Sequence, residues 1–232
     1  MHRKHFLVSA MALWAALPAL CQSQSVSQGP HRMEITVERR IGNAWRAVDP
    51  GFIFMKGDHV RFRYKTNFSG YLYVMNQGTG GAYTKLFPRE DTGMANRIEA
   101  GKEYMVPTTD GMFRIEGPPG YDVIYWVVTP VDIGMQSAYK PLPPPPTDLP
   151  KMRASLTPRC DDTILRARGE CVDSGAGPQA VDDKSKLPEN IKPSAGDDSQ
   201  DLVFMKKQRR SVVSSPAPLG GPVVFEFRLA HK

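Results

Sequence analysis

Residues 123–128, Val-Ile-Tyr-Trp-Val-Val, are the stretch that decides the fold, and they end at Thr129-Pro130. β-Branched and aromatic residues are enriched in strands, and a proline cannot donate a hydrogen bond to a sheet. A second apolar run, Tyr-Leu-Tyr-Val-Met at residues 71–75, follows a turn at residues 67–70. Because this second run is nearly continuous, it predicts a central strand that is covered on both faces.

Shorter segments on either side of these two runs alternate between apolar and polar residues. Met33, Ile35 and Val37 alternate with polar residues, which is the period of a half-buried strand. Further candidate strands are residues 52–54, 60–65, 83–87, 102–106 and 112–115. Strands spaced about 8 to 12 residues apart, with Gly/Pro turns between them, predict an all-β fold. We expect an immunoglobulin-like antiparallel β-sandwich over residues 33–140.

The composition changes after Tyr139. Residues 141–146 favour an extended polyproline conformation, and residues 141–222 are rich in Pro, Asp, Ser, Gly and Lys. Such a segment buries too little apolar surface to offset the entropy of ordering it. We predict a long, partly disordered insertion before the last strand, with order only near residues 164–167 and 202–205.

Order is expected again at the C-terminus. Residues 223–229, Val-Val-Phe-Glu-Phe-Arg-Leu, predict a strand. We expect the C-terminal segment, residues 223–232, to complete the sandwich by joining the sheet that begins near Met33.

The first 21 residues resemble a secretory signal peptide in their order of basic, apolar and small residues. Their apolar run is too short to span a bilayer, and the sequence predicts no transmembrane segment elsewhere. We therefore expect an exported protein, periplasmic or extracellular, with a flexible N-terminus at residues 22–32. Lipid anchoring at Cys21 is the alternative, although Leu20 fits that pattern poorly.

The two cysteines that remain after Cys21, Cys160 and Cys171, are separated by ten residues. In an exported chain such a pair predicts a disulfide that closes a short loop. A metal site is disfavoured because the loop contains no histidine.

The charge of the chain is mildly positive. The net charge is +6, and it falls to +4 when Arg3 and Lys4 are removed with the leader. This is too little to indicate a nucleic-acid-binding protein. The sharpest basic run consists of Lys206, Lys207, Arg209 and Arg210. It is a candidate contact for an anionic surface, and a solvated linker is the alternative.

Motifs for catalysis, metal ions or cofactors are not found in the sequence. His59 beside Asp58 lacks the nucleophile motif of a serine hydrolase, and residues 78–81 lack the remainder of a phosphate loop. The Asp pairs at 161–162, 182–183 and 197–198 lack the spacing of a calcium-binding loop. We therefore expect no catalytic residue, no metal ion and no cofactor.

Aromatic residues on the predicted strands allow two interpretations. If they faced outward, they could form a carbohydrate-binding platform, but strand-centre aromatics more often pack in a core. The residues concerned are Tyr64, Tyr71, Tyr73, Tyr83, Tyr125 and Trp126.

A set of short motifs over residues 39–130 resembles the bacterial domain-of-unknown-function family 4384. The residues that carry the resemblance are Gly70, Tyr71, Tyr73, Leu86, Phe87, Pro88, Gly101, Pro107, Gly117, Pro118, Pro119 and Gly120. The resemblance implies a β-sandwich that is often found in envelope or secreted proteins, and it implies no catalytic residue. It assigns structural roles to Gly70 at a strand entry, to Leu86 and Phe87 in the core, and to Pro88 at a strand end.

These observations together predict a non-enzymatic binding or scaffolding module of the bacterial cell envelope. Its expected partner is an envelope protein or a glycan, and not a nucleic acid. One alternative is an accessory or regulatory subunit that binds a partner protein through residues 141–222. A second alternative is a hydrolase of unrecognised type.

Overall fold

The computed structural model describes residues 30–133 and 157–232. The predicted signal peptide, Cys21, residues 22–29 and the polyproline run at 141–146 lie outside the described residues.

Fourteen strands and one short α-helix form the described fold. The strands are β1 (Arg32–Ile41), β2 (Ala44–Ala47), β3 (Ile53–Phe54), β4 (His59–Thr66), β5 (Gly70–Gln77), β6 (Tyr83–Phe87), β7 (Arg97–Ile98), β8 (Glu103–Val106), β9 (Phe113–Arg114), β10 (Gly120–Thr129), β11 (Gly177–Gln179), β12 (Val203–Lys207), β13 (Arg210–Ser214) and β14 (Val223–His231). The helix, α1, spans Asp162–Arg168, and 3₁₀ turns lie at Lys184–Lys186, Lys192–Ser194 and Asp197–Ser199. No helix in the two described ranges is long and apolar enough to cross a membrane.

The strands form two sheets of seven strands each. The first sheet has the order β12-β13-β1-β4-β8, with β2 beside β1 and β9 beside β4. The second has the order β11-β14-β10-β5-β6, with β3 beside β14 and β7 beside β5. All strand pairs are antiparallel except the short pair of β3 and β14. The predicted all-β sandwich is therefore confirmed.

The main core lies between the two sheets. Alternate residues of β1 and β4 point into it, and they meet the inner residues of β5, β10 and β14. Trp126 of β10 is fully buried, with Phe62 and Tyr64 edge-on to its ring and Phe225 stacked on it. The apolar runs at 71–75 and 123–128 are thus the centre of the second sheet, as their composition predicts.

The C-terminal strand completes the sandwich, but it lies in the second sheet and not in the sheet of Met33. Strand β14 pairs with β10 over nine residue pairs, and Phe227 lies opposite Ile124. The neighbour of β1 is β13, whose Val213 lies opposite Met33. The expectation was wrong because Phe225, Phe227 and Leu229 form an apolar face that suits either sheet, so composition does not choose between them.

The insertion is more ordered than its composition predicts. Residues 157–222 contribute β11 to the second sheet and β12 and β13 to the first. In addition, residues 181–195 cover the outer face of the second sheet. There a second hydrophobic cluster joins the insertion to β5, β6, β10 and β14, through Val181, Leu187, Ile191 and Ala195. These apolar residues are too widely spaced to stand out in a polar segment.

The predicted disulfide between Cys160 and Cys171 is present. It brackets α1, which is capped by the carboxylate of Asp161 at its N-terminus and ends at Gly169 in the left-handed conformation. The neighbouring cluster of Ile53, Ala176 and Ala230 attaches this loop to the second sheet.

The first described residues also belong to the fold, although residues 22–32 were expected to be flexible. Arg32 begins β1, and the ring of His31 stacks on Phe68 with a centroid distance of 4.5 Å. The Nδ1 atom of His31 accepts a hydrogen bond of 3.1 Å from the amide of Leu219. The sequence did not reveal these contacts because both partners are distant along the chain.

We predict that Trp126→Ala lowers the free energy of unfolding by about 3–5 kcal/mol, because it leaves a cavity between the two sheets. The matched control is Trp45→Ala, since Trp45 is partly exposed and its ring contacts the guanidinium of Arg61 at the surface. Its expected cost is about 1 kcal/mol. Chemical denaturation measures both, and equal effects of the two substitutions would contradict the assignment of the core.

We also predict that Ile191→Ala lowers the free energy of unfolding by about 2–5 kcal/mol, because Ile191 is fully buried against the second sheet. Leu165→Ala on α1 is the control, with an expected effect within about 0.5 kcal/mol, since this side chain is 41% exposed. Thermal or chemical melts compare the two variants. An Ile191→Ala variant as stable as the wild type would mean that the insertion does not stabilise the sandwich.

Candidate binding surface

The outer face of the first sheet is the most distinctive surface of the molecule. We call it the open face and define it by the outward residues of β1, β4, β8, β12 and β13. Its basic members are Arg32, Arg40, Arg61, Arg63, Lys65, Lys207 and Arg210, and its acidic members are Glu34, Glu38 and Glu103. Seven basic and three acidic residues give it a net charge of +4.

The open face differs from the outer face of the second sheet, which the insertion covers. The three hydrophobic clusters of the described residues lie between the sheets, beneath residues 181–195, and beside the disulfide. None of them lies on the open face. Strand alternation explains the difference, because β4 buries Val60, Phe62 and Tyr64 and turns its basic residues outward.

Ion pairs hold the arginine side chains of the open face in place. Glu38 is 6% exposed, and its carboxylate accepts a hydrogen bond of 2.7 Å from Nε of Arg61 and lies 3.5 Å from Arg63. Arg63 also lies 3.6 Å from the carboxylate of Glu103. These contacts hold the guanidinium groups of Arg61 and Arg63 in place. The two carboxylates balance the charges of these two arginines, so the excess positive charge comes from other residues.

A further ion pair on this surface joins two residues that are far apart in the sequence. Arg210 donates a hydrogen bond of 3.2 Å to Glu34, which lies 176 residues earlier in the sequence. The strand register places Lys207 opposite Arg210, and Thr36 opposite Arg63. Basic side chains from β12, β13 and β4 therefore share one side of the sheet.

Two lysines of the open face, Lys65 and Lys207, form no ion pair with any described residue. Both are exposed, and they lie on β4 and β12 respectively. Together with Arg32 and Arg40 they account for the net charge of +4, because the three glutamates offset the other three arginines.

The layer on the opposite side of the molecule is acidic. Residues 181–201 contain six acidic and three basic residues, a net charge of −3. The sandwich therefore carries positive charge on one broad face and negative charge on the other.

The four residues of the predicted basic run lie in different environments in the structure. Lys206 points inward, where its Nζ donates a hydrogen bond of 2.6 Å to the carbonyl of Ala176, and burial lowers the pKa of this amine. Arg209 pairs with Glu170 at 2.8 Å. Only Lys207 and Arg210 belong to the open face. Arg61, Arg63 and Lys65 were not predicted as binding residues, although their alternation with apolar residues is visible in the sequence.

The aromatic residues do not form a platform. Five of the six candidates are buried, namely Tyr64, Tyr73, Tyr83, Tyr125 and Trp126, and the partly buried Tyr71 packs against the second hydrophobic cluster. The hydroxyls of Tyr73, Tyr83 and Tyr125 donate to Asp132, Asn190 and Gln77, and burial raises the pKa of each phenol. The core interpretation of the strand-centre aromatics is confirmed.

The motif residues of the family resemblance occupy turns and core positions. Gly70 begins β5, and a Cβ atom there would lie 2.5 Å from the carbonyl oxygen of Thr129. Leu86 and Phe87 belong to the core, and Pro88 follows the end of β6. The remaining motif residues lie along the same segment, with Tyr71 and Tyr73 on β5, Gly101 before β8, Pro107 after it, and Gly117, Pro118, Pro119 and Gly120 at the entry to β10.

The residues considered for metal binding have other partners. Asp161 caps α1 and Asp183 caps a 3₁₀ turn, while Asp197 pairs with Lys184. In the described part of the chain, no group of three or more His, Cys, Asp or Glu residues is arranged to hold a metal ion. His59 lies at the start of β4, opposite Arg114.

Comparison with known families supports the resemblance. The model of the family "Domain of unknown function (DUF4384)" matches residues 53–132, which run from β3 to just beyond β10. No curated protein and no solved structure matches the chain. The matched segment includes β4 and β8 of the open face, whereas β1, β12 and β13 lie outside it.

We predict that Glu38→Gln lowers the free energy of unfolding by about 1–3 kcal/mol, because it leaves two arginines without their shared buried carboxylate. Glu103→Gln is the matched control on the same face, since the Glu103 side chain is 56% exposed. Its effect is expected within about 0.5 kcal/mol. Denaturant melts at low and high salt measure both. Equal and small effects would show that Glu38 does not organise this surface.

Proposed function

We propose that this protein is an exported, non-enzymatic binding module of the bacterial cell envelope, and that the open face is its recognition surface. The observation that carries the proposal is the asymmetry of the sandwich. One outer face is covered by the chain's own insertion, whereas the other presents charged side chains in fixed positions.

Fixed charges favour recognition over simple solubility. Side chains that are already held lose less conformational entropy when a ligand binds. On the open face Glu38 positions Arg61 and Arg63, and Glu34 positions Arg210. Lys65 and Lys207 leave an excess of positive charge beside these arginines.

The structure favours the open face over the insertion as the binding element. The apolar side chains of residues 181–195 are already packed against Tyr83, Tyr125 and their neighbours. They are therefore committed within the fold, and a partner would have to displace them. The accessory-subunit alternative loses support for this part of the insertion.

Export is supported by two independent features. The order of basic, apolar and small residues at the N-terminus is typical of a signal peptide. In addition, the Cys160–Cys171 disulfide is of the kind that persists in oxidising compartments and is rare in the cytosol.

Binding of the purified chain from residue 22 onward to bacterial envelope preparations tests the proposal. The described residues begin at residue 30, so this chain contains all of them. We expect saturable binding by the wild type and about fivefold weaker binding for each of Lys65→Gln and Lys207→Gln.

The matched control is the double variant Lys186→Gln, Lys192→Gln, which removes the same charge from the acidic layer. We expect it to bind like the wild type. If the double variant Lys65→Gln, Lys207→Gln bound as well as this control, recognition would not reside on the open face. If the wild type showed no saturable binding, the module function would fail altogether.

A further inference from the structure

Three exposed aliphatic side chains lie on the open face beside its charges. Val203 and Met205 are 53% and 51% exposed on β12, and Met105 is 38% exposed on β8. These strands are the two ends of the five-strand path β12-β13-β1-β4-β8. Exposed apolar side chains on both outer strands therefore flank the basic residues of β13, β1 and β4, and Lys207 adds a further positive charge on β12.

We propose that the open face docks on a lipid bilayer that is rich in anionic phospholipids. The inference rests on the proposed function and names the ligand of the same surface. Basic residues in the centre attract phosphate groups, and the apolar residues at the borders enter the zone between headgroups and acyl chains.

The distribution of charge gives the docking its orientation. The open face carries +4 and residues 181–201 on the opposite side carry −3. A negatively charged membrane attracts the first surface and repels the second, so the molecule approaches with the open face towards the lipid.

Arginine side chains on the open face are well suited to bind phosphate groups. A planar guanidinium offers paired donors that match phosphate oxygens, and Arg61, Arg63 and Arg210 are each held by a carboxylate before contact. Lys65 and Lys207 add mobile charge without an ion pair among the described residues.

The breadth of the surface favours a bilayer over a single small anion. Five strands spaced about 4.8 Å apart make the face about 19 Å wide. The basic residues are spread over four of these strands, and they do not converge on one point.

The apolar border distinguishes a bilayer from an acidic glycan or an acidic protein. Amphipathic surfaces bind membranes through buried apolar area together with attraction to anionic lipids. Trp45 of β2 strengthens this argument, because tryptophan is favoured at membrane interfaces. Its ring lies 4.4 Å from the guanidinium of Arg61, on the same side of the first sheet.

Flotation with lipid vesicles tests the inference. The chain from residue 22 onward is mixed with vesicles of phosphatidylcholine containing 30% phosphatidylglycerol, or with vesicles of phosphatidylcholine alone. We expect binding to the first that weakens with salt, and little binding to the second. The double variant Lys65→Gln, Lys207→Gln should bind about thirtyfold more weakly, whereas Lys186→Gln, Lys192→Gln should bind like the wild type.

A separate variant and a fluorescence measurement test the contribution of the apolar side chains to vesicle binding. Val203→Ser, Met205→Ser keeps the charge and should weaken vesicle binding at high salt, where attraction between charges is screened.

From residue 22 onward the chain contains two tryptophans, Trp45 and Trp126, and the second is fully buried. Protection of Trp45 fluorescence from iodide on vesicle binding therefore reports contact by the open face. Circular dichroism melts verify that each variant is folded.

The possible results separate this inference from the proposed function. Equal vesicle binding by the two lysine double variants, or no binding to anionic vesicles, overturns bilayer docking. If envelope preparations still bind through the open face in that case, the module function stands and its ligand is a glycan or a protein. A soluble acidic polysaccharide that competes in the absence of lipid binding would identify the glycan.

Discussion

The packing of Trp126 between the sheets is the contact on which the rest of the structure depends. Its indole ring meets Phe62 and Tyr64 from the first sheet and Phe225 from the neighbouring strand of its own sheet. Because side chains alternate along a strand, Phe62 and Tyr64 point inward only if Arg61, Arg63 and Lys65 point outward. The charged open face is therefore a direct consequence of how the core is packed.

The same alternation explains why only one outer face needs a cover. Strands β5 and β10 are apolar on both sides, so the second sheet would expose tyrosines and valines to water if nothing lay over it. Residues 181–195 bury this surface with a few apolar side chains held by 3₁₀ turns. Strands β1 and β4 are apolar on one side only, and their outer side is compatible with water.

Much of the sandwich could be predicted because its central strands have strong local signals. The runs at 71–75 and 123–128 and the alternation at 60–65 all correspond to strands. Strand β13 was missed because Arg210-Ser-Val-Val-Ser214 is short, lies between charged and proline-rich residues, and gains its stability from pairing with β1. Local sequence carries no information about a partner that lies so far away.

The open face was only partly predictable for the same reason. Lys207 and Arg210 were identified from their run of basic residues, but their association with Arg63 depends on the register between β1, β4 and β13. A register between strands separated by well over a hundred residues is set by the folded core. Lys206 shows the converse, since it adjoins Lys207 in the run but lies on the other side of β12, where its Nζ donates to the carbonyl of Ala176.

The outer strand of the first sheet carries a charge that disfavours pairing with another chain. Strand β12 is an outer strand, and outer strands tend to pair with other chains unless charged residues prevent it. Lys206 points inward there and donates to the carbonyl of Ala176, which places a charge where an added strand would have to pack.

The family match ends at residue 132, yet β13 and β14 supply Val213, Phe225 and Phe227 to the core. The Arg210–Glu34 pair forms only when β13 has docked on β1. Assembly of the open face therefore depends on the docking of a strand that lies beyond the family match.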